Sequence, residues 1–380
     1  MRETTASGEG TGTLEPGTEE IRGFSQLLDS MRRTLEGALT DWLDPRCDAA
    51  RAELPEAGDL ADQVRRLVLA GGKRLRPALV AFSYRGCGGE DLDAVLPAAM
   101  STELLHTYLL IHDDLMDHAD LRRGEPTAHV VFRDHHRRRG WSGDSQEFGR
   151  SAAILAGDLA HSWAGEMFSE SLLHPATAGR AASVDRCFQA MSKEVIGGQF
   201  LELQLALRRQ ATEDELLDVL RLKSGRYSVE RPIQLGALLA GADEATLEAL
   251  SRYGNLVGEA FQLQDDILGL FGDAATVGKP VGSDLEEGKY TFLIHHALER
   301  LDAAGADRIR NALGRSDLPA TEGVEVVASI RQSGALDVVL GMVEERLREA
   351  RRVIADLEFK SPQGKAFLTG LVEHLWERRQ

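Results

Sequence analysis

The sequence is poor in cysteine and in aromatic residues, and it has no long uninterrupted apolar run. Three cysteines, Cys47, Cys87 and Cys187, are scattered through 380 residues, and none of them belongs to a CxxC pair. This odd, widely spaced set argues against a disulfide framework and against a cysteine-based zinc site. No apolar run approaches the roughly 18 residues of a membrane-spanning helix. We therefore expect a cytoplasmic protein without a membrane span.

Positive charge is also scarce. Lys and Arg number 44 against 61 Asp and Glu, which gives a formal net charge of −17. Nucleic acids and anionic membranes both need a basic surface on the protein that binds them, so neither is an expected partner. An anion can still be bound by a local basic cluster or through a metal ion.

The first 20 residues differ from the rest of the chain. Residues 1–20 are rich in Gly, Thr and Glu and lack the apolar stretch of a signal peptide, so we expect a disordered tail. From residue 21 to residue 380 apolar residues recur at three-four spacing, which predicts one all-helical domain of about a dozen helices. The polar, basic segment 133–146 is expected to be an exposed loop, with His135 and His136 solvated rather than bound to a metal.

An acidic cluster interrupts an apolar helical run that begins near Leu96. It contains Asp113, Asp114 and Asp117. Asp113 and Asp117 are four residues apart, which puts them about 6 Å from each other on one helix face. Like charges at this spacing destabilise a helix, and a divalent cation is the simplest compensation. Oxygen ligands on one face suit Mg²⁺, which completes its shell with water and phosphate.

A second acidic pair, Asp265 and Asp266, follows 152 residues after Asp113, again within an apolar helix. Gly269 stands where a third carboxylate would repeat the first cluster. One acidic cluster alone is often a solvated surface, but two copies flanked by Leu and Ile predict a metal site between facing helices of a bundle. A di-iron centre would need two Glu-x-x-His pairs, and Glu103 with His106 supplies one.

Basic residues stand close to both acidic clusters. They are Lys73, Arg74 and Arg76 after a Gly-Gly pair, Arg122 and Arg123 just past the first cluster, Lys223 before Ser224, and Lys279 and Lys289 beyond the second cluster. Cations beside a metal site indicate metal-assisted handling of a diphosphate, with apolar helices forming a cavity below it. The sequence has neither a GxxxxGK[ST] phosphate loop nor a GxSxG nucleophile motif.

Six segments together resemble the trans-type polyprenyl diphosphate synthases, and the geranylgeranyl diphosphate synthases most of all. They are GGKRLRP (71–77), ELLHTYLLIHDDLMDHADLRRGEPTAH (103–129), LAGDLAHSW (155–163), KSGRYSVERP (223–232), FQLQDDILGLFG (261–272) and GKPVGSDLEEGKYT (278–291). The resemblance covers about residues 21–380. It implies a single large helical bundle with a central cavity, the isoprenoid synthase type I fold, and a homodimer. It also implies a Mg²⁺-dependent transfer of an allylic diphosphate's prenyl group to isopentenyl diphosphate.

The resemblance also assigns roles by position. It makes Asp113, Asp117 and Asp265 the Mg²⁺ ligands and places Asp114 and Asp266 beside them in the catalytic set, together with Lys223. It assigns isopentenyl diphosphate to Lys73, Arg76, His106 and Arg123. It assigns the allylic diphosphate (dimethylallyl, geranyl or farnesyl) to Arg122, Lys223, Ser224, Gln262, Lys279 and Lys289. Ser224 replaces the usual Thr, and Gly269 the usual third Asp.

The expected product length follows from the residues just before the first acidic motif. In the family, residues just before the first acidic motif face the growing chain, which here are Tyr108 and Leu109. A ring at Tyr108 would form a cavity floor and favour a twenty-carbon product, with a fifteen-carbon product as the alternative. A class I terpene cyclase and a non-catalytic partner subunit of a prenyl synthase are the more distant alternatives.

Overall fold

Almost every described segment is helical. The structure is a computed structural model, and it describes residues 18–272, 283–315 and 317–378. The helices of the first half are α1 (Thr18–Glu53), α2 (Pro55–Leu69), α3 (Leu75–Gly86), α4 (Leu92–Met116), α5 (Ala128–Arg139), α6 (Ser145–Leu173) and α7 (Ala181–Arg208). Those of the second half are α8 (Glu213–Val219), α9 (Arg231–Ala240), α10 (Glu244–Phe271), α11 (Ser283–Glu286), α12 (Phe292–Arg300), α13 (Ala303–Ala312), α14 (Ala320–Gln332), α15 (Ala335–Asp356) and α16 (Pro362–Glu377).

Side-chain caps fix where several of these helices begin. Asp91 accepts a hydrogen bond from the backbone N–H of Asp93 at the start of α4, and Asp243 does the same for Thr246 at the start of α10. Thr212 and Glu215 form a reciprocal capping box at the start of α8. These caps satisfy N–H groups that the first helical turn leaves without a partner. The caps of Asp91 and Asp243 fix the N-terminal ends of α4 and α10. The two acidic motifs lie near the C-terminal ends of the same two helices.

A π-helical segment, Leu220–Glu230, joins α8 to α9 without a break. It packs very closely against its neighbours: a Cβ atom added at Gly198 of α7 would lie 2.4 Å from the backbone nitrogen of Lys223. A Cβ at Gly258 of α10 would lie 2.5 Å from the carbonyl oxygen of Gly225. Only glycine permits such approaches. They hold Lys223 between α7 and α10, and π-helical turns are often found at functional sites.

The all-helical prediction is confirmed. Within the described residues the strands are β1 (Leu121–Arg122) and β2 (Glu125–Pro126), an antiparallel pair that joins α4 to α5. Arg123 and Gly124 between them have φ of 53° and 81°. Two consecutive positive φ angles are the mark of a type I′ hairpin turn. The turn folds the chain back just beyond the first acidic motif.

Two boundary predictions were wrong. Helix α1 begins at Thr18, so residues 18–20, predicted as part of the tail, are helical, while residues 1–17 lie outside the described part of the chain. Most of segment 133–146 is also helical, because α5 continues to Arg139 and α6 starts at Ser145. His136 is buried there against Trp141 and Phe148. The basic side chains suggested a loop, although they belong to the amphipathic C-terminal end of α5.

Helix α4 is long and apolar enough to cross a membrane by length and composition alone, although its sequence contains no unbroken apolar run of that length. Its most apolar window is 67% buried inside the fold, as expected of a core helix. Helices α14 and α15 pass the same test only when they are taken as one span, and they are bent by 60° at their junction.

Candidate active site

The two acidic motifs open onto a pair of connected cavities. The larger cavity, which we call the polar chamber, has a volume of about 900 Å³ and is lined by Lys73, Arg123, Asp266, Lys289, Tyr290 and Arg378. The smaller, the apolar chamber, has a volume of about 430 Å³ and is lined by Tyr108, Leu109, Val195, Ile196, Phe200 and Leu203. Both chambers are bounded by Lys223, Ser224, Phe261, Gln262 and Asp265. These five residues mark the junction between a charged compartment and a hydrocarbon-lined one.

Helix α4 brings Asp113 to this junction. One oxygen of Asp113 lies 3.9 Å from Lys223 Nζ, and its other oxygen lies 3.9 Å from Arg122 Nη2. Asp117 follows one turn later, and its backbone N–H donates to the carbonyl of Asp113. Burial and the charge of Asp113 raise the pKa of Asp117 to about 6. The negative charge of Asp113 thus adds to burial in disfavouring the charged form of Asp117.

Asp114 lies on the other side of the helix and has a different partner. It is 2% exposed, and one of its oxygens accepts hydrogen bonds from Nε and Nη2 of Arg122 at 2.6 and 2.5 Å. This pair anchors the hairpin to the end of α4. The carboxylate of Asp114 is therefore paired with Arg122. The carboxylate of Asp113, in contrast, lines the apolar chamber.

In the second acidic motif, Asp265 is hydrogen-bonded to a residue near the C-terminal end of the described chain. Arg378, just beyond α16, donates a hydrogen bond of 3.0 Å to Asp265. Desolvation raises the pKa of Asp265, and the positive charges of Arg378 and Lys73 oppose that shift. Asp266 accepts a hydrogen bond of 2.7 Å from Gln262 one turn earlier in α10. Arg378 was not foreseen from the sequence, because it lies outside every recognised motif.

Lys223 is held by a second residue that the sequence did not reveal. Its ammonium group forms an ion pair with Glu202 of α7, which also lines the polar chamber. Desolvation lowers the pKa of Lys223, but Glu202 and Asp113 together outweigh it and the net shift is upward. Lys223 is thus a permanent cation that two carboxylates position at the junction of the chambers.

Basic side chains, Lys73 and Arg123 among them, form part of the wall of the polar chamber. Arg123 donates a hydrogen bond of 2.5 Å to the carbonyl of Gly71, which ties the hairpin to the Gly-Gly segment before Lys73. Desolvation lowers the pKa of Lys73, and so does the nearby charge of Arg378. Desolvation likewise lowers the pKa of Arg123, together with the charge of Arg122. Cations that lower one another's pKa in a cavity form an anion-binding array.

Arg76 and His106 also line the apolar chamber. Arg76 donates to Ser228 Oγ at 2.8 Å, and its guanidinium carbon lies 4.4 Å from the ring centre of Tyr227. Burial, reinforced by Arg76 and Arg122, lowers the pKa of His106 well below its usual value. Its Nδ1 is buried and meets no hydrogen-bond partner among the described residues. His106 is therefore a neutral imidazole with one polar atom available to a ligand.

Other predicted residues fall into three groups. Ser224 and Gln262 lie at the junction, as expected, and Lys289 lines the polar chamber beside Glu287. Lys279 lies outside the described residues. Two residues considered as functional candidates are structural: Arg74 and Glu103 are buried and form an ion pair of 2.5 Å with each other. That pairing removes Glu103 from any di-iron site.

Tyr108, the residue predicted to form the cavity floor, lines the apolar chamber. The ring of Tyr108 contacts His112 edge-on at a centroid distance of 4.9 Å and His161 of α6 at 4.8 Å. Leu109 lines the same chamber. The Tyr108 ring is thus held between two imidazoles, so its position is defined by packing on both sides.

Comparison with known proteins agrees with this architecture. The sequence profile described as polyprenyl synthetase matches residues 59–330. A geranylgeranyl diphosphate synthase of Methanosarcina mazei is 36% identical over 80% of this chain and 86% of its own length. A short chain isoprenyl diphosphate synthase of Methanocaldococcus jannaschii is 38% identical over 71% of this chain and 75% of its own.

A solved structure gives the same result for the fold. The geranylgeranyl pyrophosphate synthase of Corynebacterium glutamicum, crystallised with isoprenyl diphosphate and magnesium, superposes with a TM-score of 0.87 at 34% identity. The match covers 92% of this chain and 99% of that one. Profile, sequence identity and superposition agree over most of both chains, and the chain belongs to the polyprenyl synthetase family, the prenyl diphosphate synthases that its six motifs resemble.

Proposed function

We propose that this chain is a Mg²⁺-dependent short-chain prenyltransferase that condenses isopentenyl diphosphate with an allylic diphosphate and releases geranylgeranyl diphosphate. The observation that carries the proposal is the junction of the two chambers. There, carboxylates of both acidic motifs and the cation Lys223 meet at the mouth of an apolar cavity. A charged head group and a hydrocarbon tail need compartments of these two kinds, side by side.

Asp113, Asp117 and Asp265 are the proposed Mg²⁺ ligands. Their donor set consists of oxygens alone, which suits this ion, and the pKa of Asp117, raised by burial and by the charge of Asp113, supports a cation between these carboxylates. Bound Mg²⁺ would supply charge neutralisation for a departing diphosphate. Asp266, held by Gln262, supports the second motif, and Asp114 acts indirectly by fixing Arg122.

The cations divide into two proposed diphosphate sites. Arg122, Lys223, Ser224, Gln262, Lys279 and Lys289 are assigned to the allylic diphosphate, whose prenyl group would enter the apolar chamber. Lys73, Arg76, His106 and Arg123 are assigned to isopentenyl diphosphate. The positive charges of Arg378 and Arg123, which lower the pKa of Lys73, support an anion on this wall. His106 would add a hydrogen bond without adding charge, because burial keeps it neutral.

Tyr108 is the proposed floor for the growing chain, with Leu109 beside it. A rise of about 1.5 Å per residue puts Tyr108 roughly 7.5 Å down α4 from Asp113. A ring clamped by His112 and His161 resists displacement by a longer product. The geranylgeranyl diphosphate synthases among the relatives support a twenty-carbon product, and the geranylfarnesyl diphosphate synthase of Aeropyrum pernix, 32% identical, marks the range to be tested.

We further propose that residues 21–380 act as one domain in a cytoplasmic homodimer. A single cluster of buried apolar residues extends from Phe24 to Leu375, which supports one domain. Large apolar side chains of α6 and α7 are exposed in the single chain: Leu155 is 55% exposed, Ile196 48% and Phe200 62%. Ile196 and Phe200 also line the apolar chamber, so a second copy on this face would close its outer wall.

The experiment is incubation of the purified chain with isopentenyl diphosphate, each allylic starter and Mg²⁺, followed by chromatographic sizing of the prenyl alcohols. The proposal predicts a twenty-carbon product that requires both substrates and disappears with a chelator. Product from an allylic diphosphate alone would indicate a cyclase. No product from the pure chain, with activity restored by a second protein, would indicate a non-catalytic subunit.

A further inference from the structure

Outside both chambers, two histidines and two glutamates converge on one point. His295, His296 and Glu299 lie on α12, and Glu213 is the first residue of α8. One ligand atom from each of the four residues can be chosen so that all four lie within 4.8 Å of one another. The histidines are mostly enclosed, whereas the carboxylates of Glu213 and Glu299 are 61% and 58% exposed. The cluster is therefore an imidazole pair at the surface with carboxylates reaching over it.

The distances between the ligand atoms can be compared with those of a hydrogen-bonded network and with those of a metal site. His295 Nε2 lies 3.6 Å from Glu299 and 3.9 Å from Glu213, and His296 Nδ1 lies 3.5 Å from the other oxygen of Glu299. A hydrogen bond to nitrogen is about 2.9 Å long, so the contact of His296 with Glu299 is at the long limit of a hydrogen bond and the two contacts of His295 lie beyond it. In a tetrahedral Zn²⁺ site with bonds of about 2.0–2.2 Å, neighbouring ligand atoms are about 3.3–3.6 Å apart. The three separations given above are close to that spacing, and no pair of the four ligand atoms is more than 4.8 Å apart.

We propose that Glu213, His295, His296 and Glu299 form a binding site for a transition-metal dication of the zinc class. Two imidazoles with carboxylates are a donor set for zinc, whereas Mg²⁺ prefers oxygen ligands alone. This site is chemically distinct from the carboxylate motifs proposed to bind Mg²⁺. It does not depend on the reaction that the chambers carry out.

The position of the cluster gives the bound ion a structural consequence. Helix α8 runs directly into the π-helical segment that carries Lys223, and its residues Leu216 and Val219 line the polar chamber. Helix α12 starts immediately after Lys289 and Tyr290, which line the same chamber. An ion bridging α8 and α12 would fix two walls of the polar chamber relative to each other. Metal occupancy at the surface would thus stabilise the geometry of the chamber.

The test is zinc titration of the full, chelator-stripped chain by calorimetry in excess Mg²⁺, which occupies the carboxylate motifs. We expect one Zn²⁺ per chain and a raised melting temperature. Co²⁺ should give the intense visible absorption of tetrahedral coordination. Glu213→Gln and His295→Gln should each weaken Zn²⁺ binding by about 100-fold or more, since even residues behind metal ligands contribute 10–100-fold. His135→Gln is the matched control, because His135 pairs with Asp59 far along the chain and should leave zinc affinity unchanged.

Two results would overturn the proposal. One is zinc affinity in Glu213→Gln and His295→Gln equal to that of the unaltered chain. The other is the absence of any zinc binding when Mg²⁺ is in excess. Glu213 is exposed, so its replacement by glutamine should leave the fold intact, and melting in the presence of chelator verifies this for each variant. Because binding is measured without substrate, the result is independent of prenyl transfer.

Discussion

The polar and apolar chambers share five residues yet differ in how their walls are held. In the polar chamber, charged groups hold one another: Glu202 pairs with Lys223, and Arg378 pairs with Asp265. In the apolar chamber, packing holds the wall, and Tyr108 is fixed between two imidazoles. Substitutions of the charged groups should therefore change rate and affinity, whereas substitution of Tyr108 in the apolar chamber should change which product fits.

The largest effect is expected at the junction. Asp113→Asn and Asp265→Asn each remove a proposed metal ligand while keeping side-chain size. Loss of transition-state stabilisation on the order of 4 kcal/mol corresponds to about a thousandfold fall in kcat. Steady-state assays at saturating Mg²⁺ measure it. Asp120→Asn is the matched control, since Asp120 is exposed and lies just outside the first motif. Near-normal kcat in either junction variant would remove that residue from the metal site.

The next effect separates the two diphosphate sites. Lys73→Ala and Arg76→Ala should raise the KM for isopentenyl diphosphate by about 10- to 100-fold, as expected for hydrogen bonds to a charged group. The KM for the allylic substrate should change much less. Arg85→Ala, on the same helix as Arg76 but bonded to Gln363, is the control. A larger change in the allylic KM would reverse the assignment of the two sites.

Asp117 makes the proposed Mg²⁺ site sensitive to pH. Its pKa of about 6 exceeds the unfolded value, so in Mg²⁺-free protein the folded state binds the extra proton. The resulting stability is present below about pH 4 and is lost as the pH rises through 6, at most about 3 kcal/mol.

Chemical unfolding of the unaltered chain and Asp117→Asn in chelator, between pH 4 and 7, measures this contribution as a difference. Mg²⁺ competes with the same proton, so Mg²⁺ affinity should fall below about pH 6 in the unaltered chain. A difference in stability that does not vary with pH would contradict the assignment.

How far the sequence predicts this site depends on how local each interaction is. The acidic motifs and the all-helical fold follow from spacing within single helices, and the structure places Asp113 and Asp265 around one junction. Glu202 and Arg378 escaped notice because each acts through a partner more than twenty residues away. Segment 133–146 was misread because four basic residues in the last turn of α5 resemble a loop by composition, although they suit the negative end of a helix dipole.

The smallest expected effect on rate is in the apolar chamber. Tyr108→Ala removes the ring between His112 and His161 and deepens the cavity without altering a charge near the metal ligands. We expect turnover within a few-fold of normal and a shift of the product to twenty-five carbons or more. Tyr108→Phe keeps the ring and should keep the twenty-carbon product. Chromatography of the dephosphorylated products distinguishes the outcomes. If Tyr108→Ala is active and its product is unchanged, the floor is formed by other residues of the chamber. If its kcat falls as far as that of Asp113→Asn, the two chambers are not functionally separate.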